Sequence, residues 1–265
     1  MQKGNGVSMQ SGKVVLLPAS VTSLARGLPP APLGTLFALG DHGGISVPRC
    51  SGFTVVFGRN EPDVHVCVGE NDRGVSRQQG QLYTDGRRWM VRNLGKAPIR
   101  FPGSQLLLRG QEQPLPVAYT PLFIRTGPGR EHLLEVRVAG IPATPSAACH
   151  GLSTHLSEPW DLSERERLVL VVLGQRYLRH EPYPAPLTRG LVTEELAALH
   201  PWCEWTEKCV EGIVGTVRAR LSNRGVGGLT RDEVGEPVGN SLNHNLLMAL
   251  LLSATLVPSD LRLLD

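Results

Sequence analysis

The chain reads Phe-Thr-Val-Val-Phe-Gly-Arg-Asn over residues 53–60 and Val-Ser-Arg-Gln-Gln-Gly over residues 75–80. A run of β-branched and aromatic residues that ends in glycine predicts a strand followed by a tight turn. Arg59 lies in the first turn, and Ser76 and Arg77 lie in the second. Arginine offers a permanently charged fork of donors and serine adds a hydroxyl donor. These residue types on neighbouring loops predict a phosphate-binding site that does no chemistry on the phosphate.

Short apolar runs of the same kind recur from Gly34 to Val138, separated by Gly, Pro, Asn and Asp. Their lengths and the lack of helical periods between them predict an antiparallel β-sandwich. Asp85-Gly86 predicts a hairpin turn. The predicted strands cover residues 36–39, 53–57, 64–68, 81–83, 89–91, 105–108, 122–124 and 134–138.

Changes of pattern divide the chain into four parts. Residues 1–33 are rich in Gly, Ser and Pro, which predicts a flexible N-terminal segment. Residues 34–139 form the predicted sandwich, and the proline-punctuated residues 140–159 predict a linker. Residues 160–265 have a helical period. The predicted fold class is therefore multidomain, with an antiparallel β-sandwich followed by a mainly helical domain.

Capping residues mark the predicted helices of the last part. Ser163 with Glu166 three residues later has the pattern of a capping box and opens the first helix. Thr206 caps another helix that ends near Asn223 or Gly225. Two further helices are predicted, over residues 193–199 and from Leu242 onwards.

The first domain resembles a forkhead-associated (FHA) domain of actinobacterial type, a two-sheet sandwich with a Gly-Arg loop, a Ser-x-x-His loop and a later Asn-Gly loop. Gly58 and Arg59 match the first loop, and Ser76 and Arg77 match the second. Residues 92–95 with residues 101–103 resemble the third region. The resemblance covers about residues 34–138.

The resemblance implies binding of phosphothreonine peptides. Arg59 would hold the peptide backbone and the phosphate, and Ser76 and Arg77 would hold phosphate oxygens. Gly58 and Gln79 would shape the loops, with Gln79 standing where the family has His. Residues 96–100 replace the Asn-Gly segment, and the hypothesis is that Lys96 or Arg100 compensates electrostatically.

The second domain is similar to the helix-turn-helix of bacterial transcription regulators. It departs from that pattern by an insertion over residues 179–189 and by the apolar C-terminal helix, and residues 229–239 are predicted to form a wing. Glu207 and Glu211 oppose contact with a phosphate backbone, so DNA contact and protein contact are both open. The candidate contact residues are Lys208, Arg218, Arg220 and Arg224.

Composition and motifs exclude several classes of function. The 265 residues carry a net charge of only +3, which is too mild to indicate nucleic acid by itself. Five cysteines without a CxxC pair fit a reducing compartment. The apolar run of residues 246–252 is too short to span a membrane, and no N-terminal stretch has the pattern of a signal peptide. No nucleophile, acid–base pair or metal-ligand spacing is present, so no catalytic residue, metal or cofactor is expected.

The sequence therefore predicts a cytoplasmic, non-enzymatic adaptor or regulator. Its sandwich would bind a phosphothreonine-containing protein, a Ser/Thr kinase or a kinase substrate, and its helical domain would contact DNA or another protein. The alternative is a phosphate-independent scaffold with a degenerate FHA domain, in which the apolar helix over residues 242–252 makes a homo-oligomer surface. Neither reading involves a membrane.

Overall fold

The computed structural model describes residues 14–18, 20–60, 62–127, 130–140, 158–236 and 238–264. These residues form two compact units. The first takes the described residues up to 101 and residues 105–140, and the second takes residues 158–264 with residues 102–104. Most of the predicted linker, residues 141–157, lies outside the described residues.

The first unit is a sandwich of a seven-stranded and a five-stranded sheet. The strand orders are β1-β3-β2-β12-β11-β8-β9 and β10-β7-β6-β4-β5. The predicted sandwich is confirmed, with the difference that β4 pairs with β5 in parallel. The strands are β1 (Val15–Leu16), β2 (Leu36–Leu39), β3 (Gly44–Val47), β4 (Val55–Gly58), β5 (Val66–Cys67), β6 (Gly80–Thr84), β7 (Trp89–Asn93), β8 (Ile99–Arg100), β9 (Leu106–Leu107), β10 (Glu112–Pro114), β11 (Tyr119–Gly127) and β12 (Arg130–Val138).

The core lies between the two sheets because alternate residues of each strand face inward. Val55 and Phe57 on β4 meet Leu82 on the neighbouring β6, and all three side chains are fully buried. The predicted hairpin joins β6 to β7, where the N–H of Asp85 donates to the carbonyl of Arg88 at 3.1 Å. This hairpin stands at the opposite end of β6 from Gly80.

The N-terminal residues pack on the outer face of the seven-stranded sheet. Leu24 is 0% exposed and contacts Phe37 and Leu39 of β2. Ser23 Oγ and the N–H of Leu24 both donate to Glu135 Oε2, at 2.9 and 2.5 Å. Buried Leu24 and the buried carboxylate of Glu135 thus fix residues 23 and 24 to the sheet, and the flexibility of the other residues of the predicted segment 1–33 stays a prediction. Residues 1–13 lie outside the described residues.

The second unit is helical, as predicted. Its helices are α1 (Glu164–Leu178), α2 (Arg189–Leu199), α3 (Glu207–Ser222), α4 (Arg231–Val234) and α5 (Ser241–Leu252), followed by a 3₁₀ turn over Pro258–Leu264. The predicted capping box of Ser163 and Glu166 opens α1, and Thr206 caps α3. Within residues 158–236 and 238–264 there is no strand, so α4 replaces the wing predicted over residues 229–239.

Among the described helices, none combines the length and the apolar character that crossing a membrane requires.

Candidate functional site

Arg59 lies directly after β4, where the strand ends at Gly58. Its backbone N–H donates to the carbonyl of Ser76 at 3.2 Å, and its Nε donates to the carbonyl of Val75 at 2.9 Å. Neither bond neutralises the guanidinium charge, because both acceptors are peptide carbonyls. No carboxylate among the described residues pairs with Arg59. The bond from Nε thus fixes one edge of the Arg59 guanidinium, and the other N–H groups remain able to donate to an anion.

Gly58 lets the loop of residues 75–79 approach β4. A Cβ atom at Gly58 would lie 2.2 Å from the carbonyl oxygen of Arg77 and 2.8 Å from the backbone nitrogen of Gln79. No side chain fits at that distance. Because Gly58 has no side chain, the loop of residues 75–79 can lie close enough to β4 for Arg59 to be next to Ser76.

Gln79 is fully buried and joins three parts of the chain. Its Oε1 accepts from the N–H of Ser76 at 3.0 Å, and its Nε2 donates to Asn93 Oδ1 at 2.9 Å and to the carbonyl of Ala97 at 2.8 Å. Asn93 is also buried, and its Nδ2 donates to the carbonyls of Ala97 and Leu107, each at 2.9 Å. A satisfied network of buried amides holds its members in one arrangement. The loop with Ser76 and the loop after β7 are therefore held together from inside.

Lys96 is carried by the loop after β7 and reaches the same place. Its backbone N–H donates to Ser76 Oγ at 3.2 Å, which leaves the serine hydroxyl hydrogen able to donate outward. The side chains of Lys96 and Arg77 are exposed, and within the described residues neither makes a hydrogen bond or an ion pair. The backbone groups of Arg59 and Lys96 thus both contact Ser76, and Arg77 follows Ser76 in the same loop.

Arg100 does not belong to this group, so the prediction that it contacts a bound peptide is wrong. Its side chain is 6% exposed and binds Glu131 through two hydrogen bonds, Nε to Oε1 at 2.8 Å and Nη2 to Oε2 at 2.6 Å. The guanidinium also lies over the ring of Phe123, 4.4 Å from its centroid. A buried arginine that is already paired with a carboxylate has no charge to offer a ligand.

Asp72 anchors the loop before Ser76 and was not identified from the sequence. Its Oδ2 accepts from Thr126 Oγ1 at 2.7 Å and lies 2.8 Å from His132 Nε2, and its Oδ1 accepts from the N–H of Gly74 at 2.8 Å. The hydrogen bonds from His132 and Thr126 hold the pKa of the Asp72 carboxyl well below its usual range. The bond from Gly74 is local and typical of a turn that begins with Asp. His132 and Thr126, in contrast, lie on strands more than fifty residues away along the chain, so the sequence does not indicate their contact with Asp72.

The residues of the second unit that were predicted to contact DNA or a partner do not share one exposed face. Arg220 binds Glu166 through Nη1 and Nη2, at 3.1 and 3.0 Å, and donates to the carbonyl of Asp161 at 3.0 Å. Partial burial raises the pKa of Glu166, but the bonds from Arg220 and Ser163 outweigh that effect and hold it below its usual value. Arg220 therefore ties α3 to the start of α1.

The other candidates, on α3 and just after it, differ in their surroundings. Arg218 Nη1 is 3.5 Å from Asn243 Oδ1, and Arg224 lies 5.7 Å from the ring centroid of Trp160. Lys208 is exposed and makes no side-chain contact with another described polar group. Within the described residues, Arg220 pairs with a carboxylate, whereas Lys208, Arg218 and Arg224 do not.

The described residues contain no group of three or more His, Cys, Asp or Glu side chains that could hold a metal ion.

No protein-family model and no curated protein matches the chain. Several solved structures are similar to it. The FHA domain of a hypothetical protein from Arabidopsis thaliana has 13% identity and a TM-score of 0.34, and the match covers 45% of this chain and 100% of that one. The N-terminal FHA domain of an S. cerevisiae protein, in complex with a phosphothreonine peptide, has 15% identity and a TM-score of 0.32, covering 39% of this chain and 93% of that one. An FHA domain from Mycobacterium tuberculosis has 18% identity and a TM-score of 0.32, covering 41% and 100%.

Proposed function

We propose that the first unit is an FHA domain of actinobacterial type that binds phosphothreonine in a partner protein. The observation that carries the proposal is the position of Arg59 beside Ser76, joined by the 3.2 Å bond from the N–H of Arg59 to the Ser76 carbonyl. A phosphate dianion needs several donors at once, with at least one permanent charge among them. Arg59, Ser76, Arg77 and Lys96 supply that set without a base or a nucleophile among them.

The buried network supports binding over catalysis. Gln79 and Asn93 satisfy each other and the loop backbones, so the loops that carry Ser76 and Lys96 are held in place before a ligand arrives. Donors that are fixed in advance lose less entropy when a ligand binds. The function that fits is recruitment of a phosphorylated protein by a non-enzymatic adaptor.

For the second unit we propose contact with a protein. Its exposed side chains include Trp202, which is 77% exposed, and Leu252, which is 65% exposed. Aromatic and large apolar side chains are the usual anchors of protein interfaces. A coupling to transcription through DNA has less support, because Arg220 is committed to Glu166 inside the unit. Cytoplasmic location and homo-oligomer formation stay predictions.

The test is binding of the full chain to a degenerate phosphothreonine peptide library, with the unphosphorylated library as reference. Arg59→Lys keeps the charge and removes the fork, and Ser76→Ala removes the hydroxyl. Each change should lower phosphopeptide affinity by roughly tenfold or more, because a hydrogen bond to a charged group contributes about 1.5–3 kcal/mol. Arg87→Ala is the matched control, since Arg87 is exposed on the hairpin at the far end of β6.

Equal binding of the two libraries would refute the proposal. The sandwich would then be a phosphate-independent scaffold, and the exposed apolar residues of the second unit would become the first place to look for function.

A further inference from the structure

Four cationic residues lie on the segments that meet near the proposed phosphate site. They are exposed, and none of them makes a side-chain hydrogen bond or ion pair with another described residue. We name them the cationic rim: Arg73, Arg77, Lys96 and Arg125.

Contacts between three segments bring the residues of the rim to the same end of the sandwich. Lys96 meets the Arg77 side of the site through the bond from its N–H to Ser76 Oγ. The N–H of Arg125 donates to the carbonyl of Pro98 at 3.1 Å, which places Arg125 beside the segment that carries Lys96.

The loop that carries Arg73 contacts β11, the strand that carries Arg125. The next residue, Gly74, packs so closely on Thr126 that a Cβ at Gly74 would lie 2.7 Å from the Thr126 Cβ. Arg73 precedes Gly74 in the chain and Arg125 precedes Thr126, so each cationic residue adjoins one of the two residues that pack together. The four rim residues therefore lie on segments that contact one another at the end of the sandwich that carries Ser76.

Carboxylates of the same end of the sandwich already have partners. Asp72 is held by His132 and Thr126, Glu131 is paired with buried Arg100, and Glu70 lies 2.9 Å from His42 Nε2. Asp63 accepts from Asn60 Nδ2 at 2.5 Å. Of these carboxylates, Glu131 is offset by a permanent positive charge, and within the described residues none of them pairs with a rim side chain.

We infer that the ligand of this site is an acidic phosphopeptide, in which carboxylates or a second phosphate flank the phosphothreonine. The inference rests on the proposed function and names its ligand class. One phosphate engages the fork of Arg59 and the Ser76 hydroxyl, and it cannot reach the whole rim. The remaining charges attract the flanks of the peptide, and they do so through screened, longer-range fields.

The test uses the full chain and three synthetic peptides of equal length, each with one phosphothreonine. The flanks are Asp and Glu in the first peptide, Ser and Ala in the second, and Lys in the third. Fluorescence anisotropy should show the acidic peptide binding at least tenfold more tightly than the neutral one at low salt. The difference should shrink at about 0.5 M salt, where the screening length falls to a few ångströms.

Variants separate the rim from the phosphate site. Arg73→Ala and Arg125→Ala remove charges outside the set of phosphate donors, and each should weaken the acidic peptide by roughly two- to fivefold while leaving the neutral peptide unchanged. Arg87→Ala removes the same charge at the far end of β6 and should change neither peptide. All these side chains are exposed, so the variants should fold, and circular dichroism checks that they do.

Each contrary outcome has its own meaning. Equal affinity for the acidic and neutral phosphopeptides would overturn the inference and leave the proposed function standing. Absence of binding to any phosphothreonine peptide would overturn both. A single-stranded oligonucleotide that bound more tightly than the acidic peptide, and lost affinity in Arg125→Ala, would assign the rim to nucleic acid and refute the inference.

Discussion

The side-chain Oε1 of Gln79 accepts a hydrogen bond from the backbone N–H of Ser76 at 3.0 Å. The same amide donates to Asn93 Oδ1 and to the carbonyl of Ala97, so one buried side chain sets the distance between two loops. A Cβ on Gly95 would lie 2.4 Å from this amide, which shows how closely the loop after β7 wraps it. The geometry of the donors at the surface therefore depends on a residue that no ligand touches.

Gln79→Leu should lower the free energy of unfolding of the first unit by about 2–4 kcal/mol. Leucine has a similar volume but leaves the N–H of Ser76 without its acceptor, at about 1–3 kcal/mol, and it also removes one of the hydrogen bonds to Asn93 Oδ1 and one of those to the Ala97 carbonyl. Hydrogen exchange of the full chain should become faster over residues 75–97. Gln78→Leu, at the exposed neighbouring position, is the control, and similar exchange in both variants would contradict the role of Gln79.

The sequence predicts the local part of this site and misses the distant part. Arg59 follows β4, and Ser76 and Gln79 precede β6, so the β-branched and aromatic residues of these strands make the loops visible in the pattern. The partners His132 and Thr126 of Asp72 are invisible, because strand register is set by the assembled sheets and not by neighbours in the chain. Arg100 is a candidate peptide contact in the sequence because it is charged and lies in residues 96–100, but β8 places it beside Glu131.

Short elements and composition explain the other differences. β3, β8 and β10 have two to four residues and too little alternation to be recognised. The Gly- and Pro-rich residues before β2 have the composition of a flexible segment, but a segment can be irregular and still be buried. Leu24 and Ser23 fix it to a sheet face that only the assembled fold provides.

Leu24→Ala should destabilise the first unit by about 2–5 kcal/mol, the usual cost of truncating a buried leucine. Leu24 is 0% exposed and packs on Phe37 and Leu39. The measurement is hydrogen exchange in β2 and β12 as a function of denaturant. Leu33→Ala is the control, because Leu33 is 74% exposed and should change stability by less than about 0.5 kcal/mol. Equal effects would show that residues 14–33 do not stabilise the sandwich.

Arg220→Ala should lower the melting temperature of the second unit, since Glu166 would lose both hydrogen bonds from the guanidinium. The pair is partly exposed, with 35% of the Arg220 side chain accessible, so solvent screening places the cost near 1 kcal/mol. Lys208→Ala, on an exposed uncommitted side chain, should leave the melting temperature unchanged. If Arg220→Ala kept full stability but abolished binding to a DNA duplex, the assignment of Arg220 to a structural role would be wrong.

The carboxyl of Asp72 should make the first unit more stable at neutral pH than in acid. Because its pKa in the folded protein is depressed by His132 and Thr126, its contribution is complete above the unfolded pKa of about 3.9 and is lost as pH falls through the lower folded value. Asp72→Asn removes that contribution. The difference in unfolding free energy between the two proteins should therefore be largest above about pH 5 and should shrink below about pH 4. A difference that stayed constant across this range, or a carboxyl carbon signal of Asp72 that titrated at its ordinary pKa, would show that these hydrogen bonds do not hold the loop before Ser76.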